Sequence, residues 1–265
     1  MAERSNPLVS VLVTSYNRAN YIGATLESVL ASYFTDFEVI VSDDASSDDT
    51  VAIARAFADR DERVRVFVNE QNLGDYPNRN RAASLARGRY IKYIDSDDIL
   101  YPHGLTVMVE AMERFPEAGF GLSSLPDPNI PYPAVSEPHN TYLEHFKGFS
   151  HFDRAPGSAI IRRDIFEKTG GFSGRRMIGD NECWLKIARY YPLVKLPAHL
   201  YWARKHEGQE SESDYARRYA EMRREVFEAA IAHPDCPLSA EEKTWALSTM
   251  RKHDLKNRVL TWLGR

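Results

Sequence analysis

Four consecutive residues, Asp95-Ser96-Asp97-Asp98, put three carboxylates directly behind the apolar run of residues 90–94. Carboxylates this close repel one another, and a hard divalent cation removes that cost. Mg²⁺ or Mn²⁺ prefers oxygen ligands and bridges readily to a diphosphate. The competing use is a solvated acidic turn ahead of the helix that begins near Pro102. A second acidic pair, Asp43-Asp44, follows another apolar run, residues 37–41. One of its carboxylates could accept the ring N–H of a nucleobase such as uracil. The plainer use of Asp43 to Asp48 is a turn and N-cap, and Asp48 and Thr50 are assigned to that.

The elements that must position these groups alternate regularly. Residues 8–13 read as a buried strand, residues 21–33 as a helix with Ile22, Leu26, Val29 and Leu30 on one face, and residues 37–41 as a strand. A helix over 50–58, a strand over 64–68, a helix over 78–86 and a strand over 90–94 follow. Such alternation predicts an α/β fold with parallel strands and helices on both faces. Ligands gather outside the carboxyl ends of such strands, where Thr14 to Asn17, Asp43-Asp44 and Asp95 to Asp98 all fall.

Beyond a helix over 105–115 the pattern changes. Pro126, Pro128, Pro131, Pro133 and Pro138 interrupt residues 125–138, which read as a loop or lid. A strand over 158–161, a helix over 163–168, the turn Gly170-Gly171 and a helix over 179–189 come next. From residue 211 onward the chain reads as helical and charged. In its last stretch, Leu255, Val259, Trp262 and Leu263 share one face, ringed by Arg251, Lys252, Lys256, Arg258 and Arg265. That pattern suits a helix packed on the domain, or a peripheral membrane contact.

Composition narrows the classes. The chain has 265 residues, 43% hydrophobic and 27% charged, with a net charge of -4. That balance is ordinary for a globular protein and lacks the basic surplus of a nucleic-acid binder. Cys183 and Cys236 have no metal-ligand spacing and are expected as buried thiols in a reducing compartment. No apolar run reads as a signal peptide or membrane span, so a cytoplasmic location, at most peripheral to the inner face of a membrane, is expected.

The run Val9-Ser10-Val11-Leu12-Val13-Thr14-Ser15-Tyr16-Asn17-Arg18 resembles the opening strand of the family 2 glycosyltransferases. The segment from Phe37 to Thr50, then Asn72-Leu73-Gly74, Arg79-Asn80, Ala86-Arg87-Gly88-Arg89-Tyr90-Ile91 and Asp95-Ser96-Asp97-Asp98, follow in that family's order. The resemblance implies the GT-A fold: a Rossmann-like, mostly parallel central sheet flanked by helices. It implies a catalytic domain over 1–210, with nucleotide-sugar binding over about 1–122 and the acceptor side over about 123–210, and a helical C-terminal extension over 211–265. It also implies an inverting transfer from a nucleotide-diphosphate sugar, with a UDP-sugar favoured, to a glycan or lipid-linked acceptor.

By the same resemblance, Thr14 and Tyr16 hold the base, Tyr16 by stacking, and Asp44 bonds its ring. Asn17, Arg79, Asp95, Ser96 and Asp97 complete the nucleotide-sugar set, Arg79 beside the diphosphate. Asp97 and Asp98 are implied metal contacts for Mn²⁺ or Mg²⁺, and His206, in Trp202-Ala203-Arg204-Lys205-His206, returns to the same site. Residues 157–172 resemble the family's strand, Arg-Arg helix and Gly-Gly-Phe turn. Gly179-Asp180-Asn181-Glu182-Cys183-Trp184 resembles the segment that supplies the general base, Asp180, with Glu182 in reserve. Most relatives carry Glu-Asp where this chain has Gly179-Asp180. A nucleotidyltransferase or an oxidoreductase would call for a Gly-rich loop after the first strand, which Thr14-Ser15-Tyr16-Asn17 is not. A catalytically silent nucleotide-sugar-binding module is the remaining alternative, and the missing Glu is its one support.

Overall fold

The computed structural model describes residues 6–123, 130–206 and 218–262, with the backbone alone over 252–262. Four parallel strands make the first half of the sheet: β1 (Val9–Ser15), β2 (Phe37–Asp43), β3 (Val64–Val68) and β4 (Tyr90–Asp95). Their spatial order is β3-β2-β1-β4, and the register sets Thr14 between Ser42 and Asp95. Helices α1 (Ile22–Leu30), α2 (Thr50–Ala58) and α3 (Asp75–Ser84) connect them. The chain order and element types follow the sequence pattern closely. α3 begins at Asp75, earlier than its apolar periodicity suggests, because its first turn has only the buried Tyr76 as an apolar anchor.

The second half is mixed rather than parallel. A two-residue strand, β5 (Ile99–Leu100), and α4 (Gly104–Arg114) lead to β6 (Phe120–Ser123), then β7 (Ala134–Ser136) and α5 (Pro138–Glu144). β8 (Ala159–Arg162), α6 (Arg163–Lys168), α7 (Gly179–Ala188), β9 (Leu193–Leu196) and β10 (Tyr201–Trp202) follow. The full order is β3-β2-β1-β4-β8-β6-β9-β7, with β5 and β10 as a separate antiparallel pair. β8 lies antiparallel between β4 and β6. It pairs with β4 only at Tyr90 and Ile91, so the carboxyl end of β4 has no ladder partner on that side. The buried Lys92 ammonium closes the gap by donating to the carbonyls of Tyr93 and Gly157. The sheet therefore opens where Asp95 emerges.

Alternation along β1 and β2 divides the core. Val9, Val11, Val13, Val39 and Val41 pack with α1, α2 and α4 on one face. Leu12, Ile40, Ile91 and Tyr93 pack with α3, α6 and α7 on the other. Each such aliphatic side chain contributes about 1.5–3 kcal/mol on burial. The second core also takes in Met222, Val226, Phe227, Ala230 and Ile231 of α8 (Tyr219–Ala232), and Ala246 of α9 (Ala240–Trp262). Cys183 and Cys236 are buried free thiols, and burial pushes the Cys183 thiol up to about 12.

β7 lies inside the proline-rich stretch that reads as loop. Proline is tolerated at a sheet edge, and β7 is the edge strand, antiparallel to β9. Residues 124–129, including Pro126 and Pro128, lie outside the described residues. So do the side chains of Lys252, Leu255, Lys256, Arg258, Val259 and Trp262, together with Leu263 and Arg265; α9 does run through that stretch as backbone. Among the described residues, no helix is long and apolar enough to cross a membrane.

Candidate active site

Three strand ends converge on the open edge. β1 ends in a tight turn in which Asn17 adopts a left-handed backbone, φ 51°. The Asn17 N–H donates to Ser46 Oγ at 2.8 Å, and its Oδ1 accepts the Ser47 N–H at 2.9 Å. Asn17 therefore ties the β1 turn to the β2 turn. Asp48, expected as a turn and cap residue, precedes the N-cap position, which falls on Asp49; it accepts the Thr50 N–H and reaches across to the Ala19 N–H at 3.1 Å. Thr14 is buried at the floor, and the Tyr16 ring is 48% exposed at the rim, where a base could stack.

The two acids of the β2 turn have separate tasks. Asp43 is fully buried and accepts from Ser15 Oγ, the Ser46 N–H and Ser46 Oγ. Asp44 accepts from Asn69 Nδ2 and the Leu73 N–H through Oδ1, both at 2.8 Å, and from the Gly74 N–H through Oδ2 at 2.9 Å. Its carboxylate thus holds the loop leading into α3. A carboxylate offers about four acceptor positions, so one remains for a base.

At the end of β4, one carboxylate oxygen each from Asp95, Asp97 and Asp98 lies within 4.8 Å of the others. Each acid is also held by a hydrogen bond. Asp95 Oδ1 accepts from Arg79 Nη2 at 2.7 Å, and Asp97 Oδ2 accepts from Arg18 Nε at 2.8 Å. Asp98 Oδ1 accepts the Arg204 N–H at 3.0 Å. The Thr25 hydroxyl contacts the carbonyls of Ser96 and Asp98 at 2.9 and 2.7 Å, which fixes the turn and buries Ser96. The three carboxylates make an all-oxygen donor set that suits Mg²⁺ or Mn²⁺. Burial first, and the Asp95 charge second, push Asp98 up to about 7. Burial pushes Lys92, beneath the cluster, down to about 7. Crowded carboxylates with that penalty fit a cation-binding role.

Two expected contacts sit differently from a direct ligand. His206 Nε2 is 3.0 Å from Asp97 Oδ2, and its ring stacks on Tyr21 with centroids 4.5 Å apart. The sequence-expected return of His206 to the acidic cluster is thus made through Asp97, beside which its imidazole lies. The Arg79 side chain is 6% exposed and is shared between Asp75 and Asp95, at 2.8 and 2.7 Å. It anchors Asp95; its Nη1 is buried without a hydrogen-bond partner and is all it has left for a diphosphate oxygen. Arg18 and Arg204 are cations at the cluster to which the sequence assigns no task. Their only sequence signal is their place beside Asn17 and His206.

Asp180 stands in the first turn of α7, with Oδ1 accepting the Asn181 N–H at 2.7 Å. Burial pushes its carboxyl up to about 7, against the lowering effect of that N–H, Tyr76 and Arg79. A carboxyl with that affinity exchanges protons near neutrality. Arg79 lies within electrostatic reach of Asp180 while bonding Asp95, so one guanidinium connects Asp180 to the acidic cluster. Glu182, the reserve, is engaged on both oxygens: Ser173 donates to one and Arg175 to the other at 2.9 Å. Asn181 pins α7 to the rest, donating to the Phe152 carbonyl and Asp153 and accepting from Tyr219 of α8. The Gly-Gly-Phe turn docks on α3 through Asn80, which bonds both backbone groups of Phe172. A side chain at Gly171 would meet Asn80 Oδ1 at 2.7 Å, so glycine is required there.

A parallel half-sheet whose strand ends gather a polar turn, an acidic triad and a half-buried carboxyl is the architecture of a GT-A nucleotide-sugar enzyme. The chain belongs to glycosyl transferase family 2, whose model matches residues 10–170. Glycosyltransferase TuaG of Bacillus subtilis is 44% identical over 92 residues, which is 35% of this chain and 36% of that protein. Glycosyltransferase GlyG of Streptococcus pneumoniae is 28% identical over 251 residues, 88% of this chain and 81% of that one. The crystal structure of S. aureus TarS in complex with UDP-GlcNAc superposes with a TM-score of 0.72 at 22% identity, covering 91% of this chain and 71% of that one. At that identity the likeness establishes the GT-A fold.

Proposed function

We propose that this glycosyltransferase moves a sugar from a UDP-sugar to an acceptor hydroxyl with inversion at the anomeric carbon. The observation that carries the reading is Asp180, a carboxyl pushed up to about 7 and linked through Arg79 to the Asp95, Asp97 and Asp98 cluster. Asp180 takes the proton of the acceptor hydroxyl as general base. The acceptor oxygen then bonds to the anomeric carbon while the bond from that carbon to the β-phosphate oxygen breaks. Asp95, Asp97 and Asp98 would hold Mn²⁺ or Mg²⁺, which would supply charge stabilisation to the departing diphosphate. Thr14, Tyr16 and the remaining acceptor position of Asp44 receive the base, with Asn17 and Ser96 shaping the turns around it. A single base facing the leaving group gives inversion.

A glycan or lipid-linked acceptor, the split into residues 1–210 and 211–265, and a cytoplasmic setting peripheral to a membrane belong to the same reading. In it, β6 to β10 and the loop between β6 and β7 form the acceptor side, and nucleic acid has no part. Base preference provides the test: with Mn²⁺ present, UDP is expected to bind at least tenfold more tightly than GDP or ADP. Isothermal calorimetry that gives equal affinities for all three would remove the uracil assignment while leaving the transfer chemistry intact.

A further inference from the structure

The departure at Gly179 has a structural counterpart on another helix. A Cβ built on Gly179 would lie 2.8–2.9 Å from three atoms of the Tyr76 ring, closer than real side chains approach. Tyr76 is 4% exposed and its ring packs on Phe172, with centroids 5.0 Å apart. The ring therefore takes the space that any larger residue at position 179 would need. From there its hydroxyl faces the first turn of α7, close enough to the Asp180 carboxyl and backbone N–H to favour the ionised form of that carboxyl.

We infer that Tyr76, seated on Gly179, is the positioning residue for Asp180, holding the general base in its reactive orientation where Glu-Asp relatives have an acid. The inference rests on the assignment of Asp180 as base. Tyr76 and Asn80 lie one helical turn apart, so the same face of α3 clamps both Asp180 and the Phe172 turn. The glycine is a requirement of this clamp, not a relic of a lost acid, and the segment remains built for proton transfer. The other charged or titratable groups facing Asp180 are Asp75 and Arg79 of α3, Tyr219 of α8, and Cys183 and Glu182 of its own helix. None of them changes when the Tyr76 hydroxyl is removed.

Tyr76→Phe keeps the ring on Gly179 and deletes only the hydroxyl. It is expected to fold with a cooperative transition, its melting temperature lowered by no more than about a few degrees, and to bind UDP and Mn²⁺ as the parent does. Its kcat should fall about tenfold, the scale of one hydrogen bond to a charged group. Losing a donor to the carboxylate raises the proton affinity of Asp180, so the acidic limb of the kcat profile should move up by about one pH unit. Gly179→Ala should displace the ring and lower kcat similarly, and the double variant should be no worse than the weaker single, because both remove one device. A Tyr76→Phe variant with parental kcat and an unmoved acidic limb would overturn the inference, leaving Tyr76 as packing only. Asp180→Asn measured alongside separates the two ideas. Parental turnover there sinks the base itself, whereas an inactive Asp180→Asn beside an unaffected Tyr76→Phe sinks only the clamp.

Discussion

Asp97→Ala is expected to lower transfer by about 10³-fold or more while the protein stays folded. That factor corresponds to ~4 kcal/mol of lost charge stabilisation on the leaving diphosphate. The substitution removes the acid that joins three parts of the site: Arg18 Nε at 2.8 Å, His206 Nε2 at 3.0 Å, and the shared oxygen locus with Asp95 and Asp98. None of these partners belongs to the apolar core, so a thermal melt should show a cooperative transition close to that of the parent. Binding of UDP should lose its dependence on Mn²⁺ in calorimetry. Full turnover in this variant, or in the parent with excess chelator, would take the cation away from the cluster.

The second large effect is expected at Asp180. Asn preserves the size and can still accept the neighbouring N–H, but it cannot take a proton. Asp180→Asn should slow transfer by about 10²-fold or more, with donor affinity nearly unchanged. The parent rate should rise with pH through about 7, since the protonated carboxyl below that value is no base. Stability should move the opposite way. A carboxyl whose proton affinity is raised on folding contributes stability below its unfolded value near 3.8, and that contribution is lost as pH rises through about 7. The Asn variant escapes this loss, so it should melt higher than the parent at pH 8 and the two should converge in acid. Parental turnover in Asp180→Asn would move the base elsewhere, and Glu182, already bonded to Ser173 and Arg175, is poorly placed to inherit it.

The parallel half of the fold was legible because β1, β2 and β4 are runs of β-branched or aromatic residues that each stop at a polar cluster. Their order along the chain then brings Thr14, Asp44 and Asp95 to one edge without further information. The other half was less so. Leu193–Leu196 and Ala134–Ser136 are too short, and too close to prolines, to carry a period-2 signal, and β8 gives no local sign of running antiparallel. The acids were legible as a cluster, but not what holds each one: that depends on Arg18, Arg79 and Arg204 arriving from distant parts of the chain. Asp44 shows the same limit, since nothing in Asp43-Asp44-Ala45-Ser46 reveals that Leu73 and Gly74 will bond it. The charged stretch that forms α8 hid its apolar side, Met222, Val226, Phe227, Ala230 and Ile231, which joins the same core as α7. Tyr76 left no local trace; the missing acid at Gly179 was its only sign, and it pointed the other way, toward loss of activity.

The most direct test of a metal-assisted, single-base inverting transfer follows the anomeric proton of a UDP-sugar by ¹H NMR, with water as the acceptor. With Mg²⁺ as the added cation, the donor should be consumed slowly, and the sugar first released should have the configuration opposite to the donor's. Chelator should stop its appearance. Release with retained configuration, or at an equal rate in chelator, would contradict the account.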